Sequence, residues 1–546
     1  MVSGPGLLPF PRVAVVVAAV LALLVVRQVA QPKGAWAARL RSRFVLGVPW
    51  GTLITALFVL GVYLFVQRGI EGLASPLVIP FRAYSYFYPT GILAAPFSHA
   101  GLGHLTGNLL GTLTYGALAE YAWSHYPTER GSQSFSSLRT NPFARILAVP
   151  LVAIAAGVLT GAFAWGYIIG FSGVVFALAG FAVVFYPVGT VLVLAFGQVL
   201  NLLYTAIQSP TVQQSARTVF TSPWWANIAI QGHALGLFLG VVAAGVLAYR
   251  RGYRPDPLRL AFGVLVFATA QNLWAVYWYR GGSTYALFRA AGTILVFGLV
   301  VLVVLAMTAS ERPLISRIDL GRREAAFGLT VAILFALAVP AVPVNLMTVA
   351  DGGGPTAEGG TVEVRDYRVT YAEDVPNRVV SALDIPLFEQ ATAVNTSGVI
   401  VTSERRHFWQ TEVSKGRLAF DNRATVRLGG VGWERAVSVR RVGWTVTGGN
   451  ATYKVYLTPE GGDRTLSFQS DPATAEPVVA GRNITIRPTE DAFGLVVTRG
   501  DEQLDTAPVP ERGANVTVGG VTVRERDGDL VAAADGTVVK IASREG

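Results

Sequence analysis

Residues 168–180 read IIGFSGVVFALAG, an apolar stretch that carries a single serine, Ser172. Apolar runs of this kind lie in a bilayer as helices, where a polar side chain is costly unless it faces a partner or a water-filled cavity. Gly173, Ala177 and Gly180 follow the serine at helical spacing and would let a second helix approach at backbone distance. Ser172 is therefore either a small packing residue or a nucleophile, and what docks against it decides which.

The whole chain has the composition of a membrane protein. Of its 546 residues, 52% are hydrophobic and only 14% are charged, and the mean hydropathy is +0.47. Residues 1–350 contain 22 Lys and Arg against seven acids, a net charge of +15, and the bases fall mostly between apolar runs, as in cytoplasmic loops. No basic cluster interleaved with aromatics predicts nucleic-acid binding. Because cysteine is absent, disulfides and a cysteine nucleophile are excluded.

Ten apolar runs predict transmembrane helices. They centre near residues 18, 56, 112, 156, 178, 197, 238, 269, 298 and 337. Loop 27–43 holds five basic residues and no acid, so the positive-inside rule places it in the cytoplasm. Successive transmembrane helices cross the bilayer in opposite directions. Counted from loop 27–43, this alternation also places the basic loops around 130–139, 250–259 and 312–323 in the cytoplasm. The first run resembles a signal peptide in length, but its charges follow the apolar residues, which favours an anchor helix with its N-terminus outside.

The sequence pattern changes after residue 350. Short alternating stretches such as TVEVRDYRVTY (361–371) and NITIRP (483–488), separated by Gly, Asn, Asp and Pro, predict an antiparallel β domain behind a Gly-rich linker. With 27 acids and 22 bases this part has a net charge of −5. Ten preceding helices place it outside. Four N-x-S/T sequons agree weakly with an exported face: Asn395, Asn450, Asn483 and Asn515.

Polar residues interrupt the apolar runs in two further segments, which together with residues 168–180 are called the three polar islands. The two further segments are FSHAGLGHLTGNLLGTLTYG (97–116) and IQGHALGLFLG (230–240). His104 and Asn108 lie four residues apart, on one face of one helix. Taken singly, these residues and His233 are better explained as hydrogen-bonding residues between helices. The alternation brings both islands and Ser172 to the outer half of the membrane, where His233 could approach the serine to within the roughly 2.6 to 3.2 Å that proton transfer needs.

In their order and spacing, the three islands closely resemble the rhomboid family of intramembrane serine proteases. The family pattern His-x4-His-x3-Asn is met by His99, His104 and Asn108, Gly-x-Ser-Gly by Gly170, Ser172 and Gly173, and His-x2-Gly-x3-Gly by His233, Gly236 and Gly240. The resemblance covers roughly residues 45–250. It departs from the family at Gly232, which is usually alanine, and at Phe176, where tyrosine is frequent.

The resemblance implies a Ser–His dyad that needs no metal or other cofactor. Ser172 would be the nucleophile and His233 the general base and acid, since no acid in residues 1–350 is placed to complete a triad. His104 and Asn108 would stabilise the oxyanion, and Phe176 and the remaining motif residues would support the site. The substrates would be transmembrane segments of other proteins in the bilayer. No feature of the sequence indicates the oligomeric state.

The predicted fold is an α-helical polytopic membrane protein with a C-terminal extracytoplasmic all-β domain. Its parts are an anchor helix with a basic loop (1–44), a six-helix protease core (45–250), three additional helices (251–350), and the linker with the β domain (351–546). The three additional helices would return the chain to the outer face. The expected location is the plasma membrane, with the active site outside.

Two other functions stay open beside the peptidase. A catalytically inactive rhomboid-like protein that binds membrane clients is the alternative, although such relatives usually lack the serine or the histidine. Transport is disfavoured because the sequence shows neither charged residues at mid-membrane nor inverted repeats of broken helices. The β domain is interpreted either as a structural or adhesive module, or as a domain that recruits substrates or shields the mouth of the protease.

Overall fold

The structure is a computed structural model, and two compact units make up the chain. It describes residues 10–30, 35–124, 135, 137–138, 141–207, 221–280, 284–310, 313–315, 320–347, 354–355, 359–379 and 394–545. The first unit comprises residues 1–278 and 286–346, and the second comprises 279–285 and 347–546. The first unit is helical and the second is largely β structure.

Most helices of the first unit follow the apolar runs of the sequence, whereas one nine-residue helix lies within the basic stretch that the sequence predicts as a loop (27–43). They are α1 (Phe10–Ala30), α2 (Ala35–Arg43), α3 (Trp50–Gly61), α4 (Pro89–Ala94), α5 (Leu102–Gly111), α6 (Ala117–Trp123), α7 (Pro142–Ala162), α8 (Ser172–Phe185), α9 (Pro187–Ile207), α10 (Ile230–Arg250), α11 (Pro257–Ala270), α12 (Arg289–Thr308), α13 (Arg322–Ala338) and α14 (Ala341–Met347). π turns extend α3 through Val62–Val66 and join α5 to α6 through Thr112–Gly116. Two short strand pairs precede and follow α12 in the chain: β1 (Tyr277–Tyr279) with β2 (Tyr285–Leu287), and β3 (Pro313–Ile315) antiparallel to β4 (Leu320–Gly321).

Four of the described helices are long and apolar enough to cross a membrane, judged by length and composition. They are Pro142–Ala162, Ile230–Arg250, Arg289–Thr308 and Arg322–Met347. Five further apolar segments are shorter: Val13–Val26, Trp50–Val66, Ser172–Phe185, Pro187–Val199 and Pro257–Ala270. All ten predicted centres lie in helical segments. A helical part with candidate membrane spans is therefore present, and the number of ten spans stays a prediction.

Helix α8 lies at the centre of the first unit. Ten of its 14 residues are buried, which explains why its sequence is apolar on every face and not along one stripe. Helices α7, α9, α10 and α11 all pack against it. The motif that contains Ser172 is thus carried by the most enclosed helix of the unit.

Two basic loops meet at the end of α6. The last carbonyl groups of a helix have no intrahelical donors and attract positive charge. Arg251 donates from Nη1 to the Ala122 oxygen at 2.8 Å and from Nη2 to the Trp123 oxygen at 2.6 Å, and Arg43 donates to the Ser124 oxygen at 3.1 Å. The loops around residues 43 and 251 therefore lie at the same end of the unit. The loop residues Glu129, Arg130, Arg139, Arg312 and Arg317 lie outside the described ranges.

The second unit confirms the prediction of a C-terminal β domain. Its strands are β5 (Val362–Val364), β6 (Tyr367–Pro376), β7 (Asn395–Ser403), β8 (Phe408–Ser414), β9 (Arg423–Gly430), β10 (Trp433–Val446), β11 (Ala451–Pro459), β12 (Thr465–Gln469), β13 (Ala473–Thr474), β14 (Asn483–Pro488), β15 (Phe493–Arg499), β16 (Glu502–Pro508), β17 (Asn515–Val518), β18 (Val521–Arg526), β19 (Asp529–Ala534) and β20 (Thr537–Glu545). One short helix, α15 (Lys415–Asp421), separates β8 from β9.

The strands of the second unit form three antiparallel sheets. One has the order β5-β6-β7-β8 and another the order β13-β14-β15-β16. The largest runs β12-β11-β10-β20-β19-β18-β17, with β9 also paired to β10. Strand β10 shows why the alternating sequence predicts this structure: Val437 and Val439 are buried, while Ser438 and Arg440 between and beyond them are exposed.

Candidate active site

Helices α8 and α10 touch through their backbones. A Cβ atom placed on Gly236 of α10 would lie 2.0 Å from the carbonyl oxygen of Gly173, and one on Gly240 would lie 1.9 Å from that of Ala177. Any side chain at these positions would force the helices apart. The small-xxx-small spacing of α10 and the small stripe of α8 thus form the close helix contact that their sequences predict.

This contact brings Ser172 to His233. Ser172 is the first residue of α8, and His233 lies in the first turn of α10. The Oγ atom of Ser172 lies 2.9 Å from Nε2 of His233, which is hydrogen-bonding distance. Within the described part of the chain, Nδ1 of His233 is buried and has no hydrogen-bond partner. Among the described residues, the geometry is that of a serine with an adjacent base and no third residue hydrogen-bonded to that base.

Phe176 orients the imidazole by stacking. Its ring lies 4.2 Å from the ring of His233, centroid to centroid, at an interplanar angle of 14°. Phe176 is buried and in turn receives the edge of Phe267 from α11, at 5.5 Å and 71°. Ring contacts of this kind stabilise a defined orientation. The position at which the sequence departs from the family pattern therefore holds the candidate base in place without a hydroxyl.

A cavity of about 510 Å³ opens over the serine. His104, Asn108, Ser172 and His233 all line it. Nδ2 of Asn108 is buried and has no hydrogen-bond partner among the described residues, although a buried donor normally has one. An unpaired N–H group held in a cavity beside a nucleophile can donate to an oxyanion that forms there.

Gly170 makes room for the two candidate oxyanion residues. Its φ angle is +134°, which disfavours any residue with a side chain. A Cβ atom there would lie 2.5 Å from Cε1 of His104 and 3.6 Å from Nδ2 of Asn108. The backbone of the Gly-x-Ser-Gly motif therefore packs directly on the imidazole of His104. Glycine is required at this position by both backbone geometry and space.

The segment that leads into Ser172 is anchored on both sides. Ala83 and Ile168 exchange backbone hydrogen bonds of 3.0 and 3.2 Å, and the Gly170 N–H donates to the Ala95 oxygen at 2.9 Å. The N–H groups at the start of α8 have no carbonyl one turn earlier in the helix to accept them. These loop contacts therefore fix the position of Ser172 at the N-terminal end of α8.

His99 precedes α5 and is completely buried, out of reach of water. Its backbone N–H donates to Oε1 of Gln67 at 2.7 Å, and Nε2 of Gln67 donates back to the His99 oxygen at 2.8 Å. Its ring contacts the ring of His104 edge to face at 5.1 Å. His99 therefore supports His104 from behind.

Helix α11, outside the predicted six-helix core, also contributes to the site. Gln271 at its C-terminal end lines the same cavity, and Phe267 packs on both Phe176 and Tyr115. The interpretation of the additional helices as a simple return to the outer face is therefore incomplete. The polar pair Gln271–Asn272 at the end of an apolar run is the sequence feature that could have indicated the contribution of α11 to the cavity.

Helices α10, α13 and α14 together hold the loop that precedes the serine motif. Nε2 of Gln231 donates to the oxygens of Phe163 and Leu337 at 2.9 and 2.8 Å. Nδ2 of Asn345 donates to the oxygen of Ala164 at 3.1 Å. Both amides come from sequence-distant helices and satisfy backbone groups at the end of α7. The additional helices thus stabilise the approach to the site as well as its wall.

The one buried carboxylate of α6 is engaged elsewhere. Glu120 accepts hydrogen bonds from the N–H and hydroxyl of Thr52 at 2.9 and 2.8 Å, and so caps the start of α3. Among the described residues, no group of three or more His, Cys, Asp or Glu side chains is arranged to hold a metal ion.

Comparisons with known proteins add no assignment. No family model matches the chain, and neither the curated proteins nor the solved structures contain a match. The functional interpretation therefore rests on the motifs and on the geometry of this cavity.

Proposed function

We propose that this chain is an intramembrane serine endopeptidase of the rhomboid type, which cleaves transmembrane segments of other membrane proteins. The observation that carries the proposal is the 2.9 Å contact between Ser172 Oγ and His233 Nε2. A serine hydroxyl bonded to an imidazole inside a cavity is the minimum arrangement for nucleophilic acyl transfer. The donors of His104 and Asn108, which line the same cavity, support it.

The chemistry proceeds through an acyl-enzyme. Ser172 Oγ attacks the scissile carbonyl carbon while Nε2 of His233 takes the hydroxyl proton. The C–N bond then breaks as the imidazolium gives that proton to the leaving amine. Water attacks the resulting ester with His233 again as base, which releases the new carboxyl group and restores the serine. Stacking on Phe176 keeps the imidazole oriented through both steps.

The membrane arrangement has ten spans, with the dyad and the β domain on the outer side of the plasma membrane. Arg43 and Arg251 lie at one end of the helical unit, where positive loops favour the cytoplasm. The hydroxyl of Tyr253 donates to the Phe185 oxygen at 3.1 Å, so the C-terminal end of α8 lies near the loop of Arg251. Ser172, at the opposite end of α8, then faces outward. These contacts support cleavage of a substrate helix near its outer end.

Fluorophosphonate labelling tests the proposal directly. The purified chain in detergent is expected to react covalently at Ser172 and to cut a single-span reporter protein, and Ser172→Ala is expected to lose both reactions. Labelling that persists in Ser172→Ala would contradict the proposed nucleophile. A wild-type chain that neither reacts nor cuts, yet still captures the reporter, would instead support the inactive client-binding alternative.

Replacing Asn108 with alanine tests the oxyanion role. Loss of one preorganised donor is expected to cost about 2.7 to 4 kcal/mol of transition-state stabilisation, a fall in kcat of about 10²- to 10³-fold. The measurement is reporter cleavage at saturating substrate. Thr106→Ala is the matched control, because Thr106 lies on the same helix and bonds to the Gly103 oxygen without lining the cavity. Equal rates for the two variants would remove Asn108 from the mechanism.

A further inference from the structure

The second unit contains a cleft at a fork between two strands. Strand β10 pairs with β11 along one edge, while β9 and β20 share the other edge. Strand β9 pairs with β10 up to Arg440, opposite Arg423, and β20 pairs only from Gly443, opposite Glu545. The gap between the two strand ends opens into a cleft of about 950 Å³. The sheet topology itself thus creates a concave surface.

Three exposed guanidinium groups line this cleft. Arg423 and Arg440 are direct cross-strand partners, an arrangement that normally destabilises a sheet because like charges face each other. Within the described ranges neither side chain forms an ion pair or a hydrogen bond. Arg544 lies across the cleft with its guanidinium 4.5 Å above the ring of Trp444. Two arginines that repel each other inside a concave surface, Arg423 and Arg440, indicate a surface that binds an anion.

The acids at the cleft are already engaged. Asp421 pairs with Arg417 at 3.5 Å. Glu545 accepts two bonds of 2.7 Å from the buried Arg441. Arg544 has a partner outside the cleft lining, since its Nη2 lies 3.9 Å from Oε1 of the buried Glu525. The positive charge of Arg423 and Arg440 is therefore uncompensated locally, although residues 351–546 together carry a net charge of −5.

We propose that this cleft binds an extended acidic polypeptide segment. Arginine pairs with carboxylates through two parallel hydrogen bonds, and arginine clusters recognise acidic motifs. Arg440 and Trp444 lie four residues apart on β10, which is about 13 Å along the strand. Because Arg544 is paired opposite Trp444, Arg544 and the Arg423–Arg440 pair are separated by about that distance along the strands. An extended peptide presents acids at positions i and i+4 with the same separation. Phe493 and the hydroxyls of Thr425 and Ser438 complete a lining suited to a polypeptide.

Peptide binding to the full chain in neutral detergent tests this inference. The probe is a fluorescein-labelled peptide of alternating Glu and Thr, and its Gln–Thr counterpart is the uncharged reference. Fluorescence anisotropy is expected to show binding of the acidic peptide only, weakening as salt rises. The double variant Arg423→Gln with Arg440→Gln is expected to bind at least about tenfold more weakly. The exposed pair Arg499→Gln with Arg526→Gln, outside the cleft, has the same charge change and is expected to bind normally.

Three outcomes would overturn the proposal. One is equal binding by the cleft variant and its control. Another is tighter binding of a sulfated glycan, or of vesicles of anionic lipid, than of the acidic peptide. The third is a lower melting temperature of the cleft variant, since that would assign the two arginines a structural role, whereas relief of like-charge repulsion predicts equal or higher stability. None of these measurements involves peptide-bond cleavage, so they are independent of the proposed peptidase.

Discussion

Ser172→Ala, His233→Ala and the double variant are expected to cut a single-span reporter at the same residual rate. Ser172 without its base is a weak nucleophile, and His233 without the serine hydroxyl has no proton to abstract. The two residues are therefore expected to act as one unit. General acid–base catalysis alone contributes about 10²- to 10⁴-fold, so each single variant is expected to lose at least that much. The measurement is initial cleavage rate with enzyme and reporter in the same detergent.

The structure makes this prediction sharp because, among the described residues, no third side chain is hydrogen-bonded to the Ser172–His233 pair. Nδ1 of His233 has no partner within the described ranges, and Phe176 orients the ring by stacking alone. His407→Ala, in the second unit, serves as the histidine control and is expected to keep the wild-type rate. A double variant slower than either single variant by the product of their effects would show that the residues act independently and would contradict the dyad.

Gly236→Ala is expected to abolish most activity and to lower the melting temperature, although it adds only one methyl group. Its Cβ would lie 2.0 Å from the Gly173 oxygen, a backbone atom of a helix that is buried on nearly every side. Relief requires α8 and α10 to separate, which lengthens the 2.9 Å contact between Ser172 and His233. Overpacking of this kind costs roughly 1 to 3 kcal/mol of stability or more.

Gly232→Ala provides the matched control on the same helix, one turn earlier. A Cβ atom there would have the Ala229 Cβ as its nearest neighbour, at 3.9 Å, which is ordinary van der Waals contact. This variant is expected to label with fluorophosphonate and to unfold like the wild type. Because both changes add one methyl group to α10, any difference between them reports the helix contact and not helix propensity. Equal behaviour of the two variants would mean that the α8–α10 contact does not position the dyad.

Much of the candidate site could be predicted because its residues follow helical periodicity. His104 and Asn108 share a face, Gly236 and Gly240 form a docking stripe, and each relation spans about one turn of one helix. The order of the motifs along successive helices then predicts that Ser172 and His233 meet. The site residues in the structure lie where these local patterns place them, and their catalytic roles stay predictions.

Other features depend on contacts that no local pattern records. Phe267 lies 91 positions after Phe176, and only the packing of α11 on α8 brings their rings to 5.5 Å. The burial of His99 follows from Gln67, whose amide satisfies both of its backbone groups. The arginine cleft of the second unit exists because β9 and β20 leave β10 at different residues.

The sequence by itself determined the division into a helical apolar part and a β part, the helices that carry the motifs, and the close contact of α8 with α10. These properties are set by composition and by short-range periodicity, which act along one element. Only the tertiary structure decided which distant side chains support the dyad, how deep His99 lies, and where the β strands diverge. The physical reason is that such neighbours are selected by the summed packing of many elements, so no single stretch of sequence specifies them.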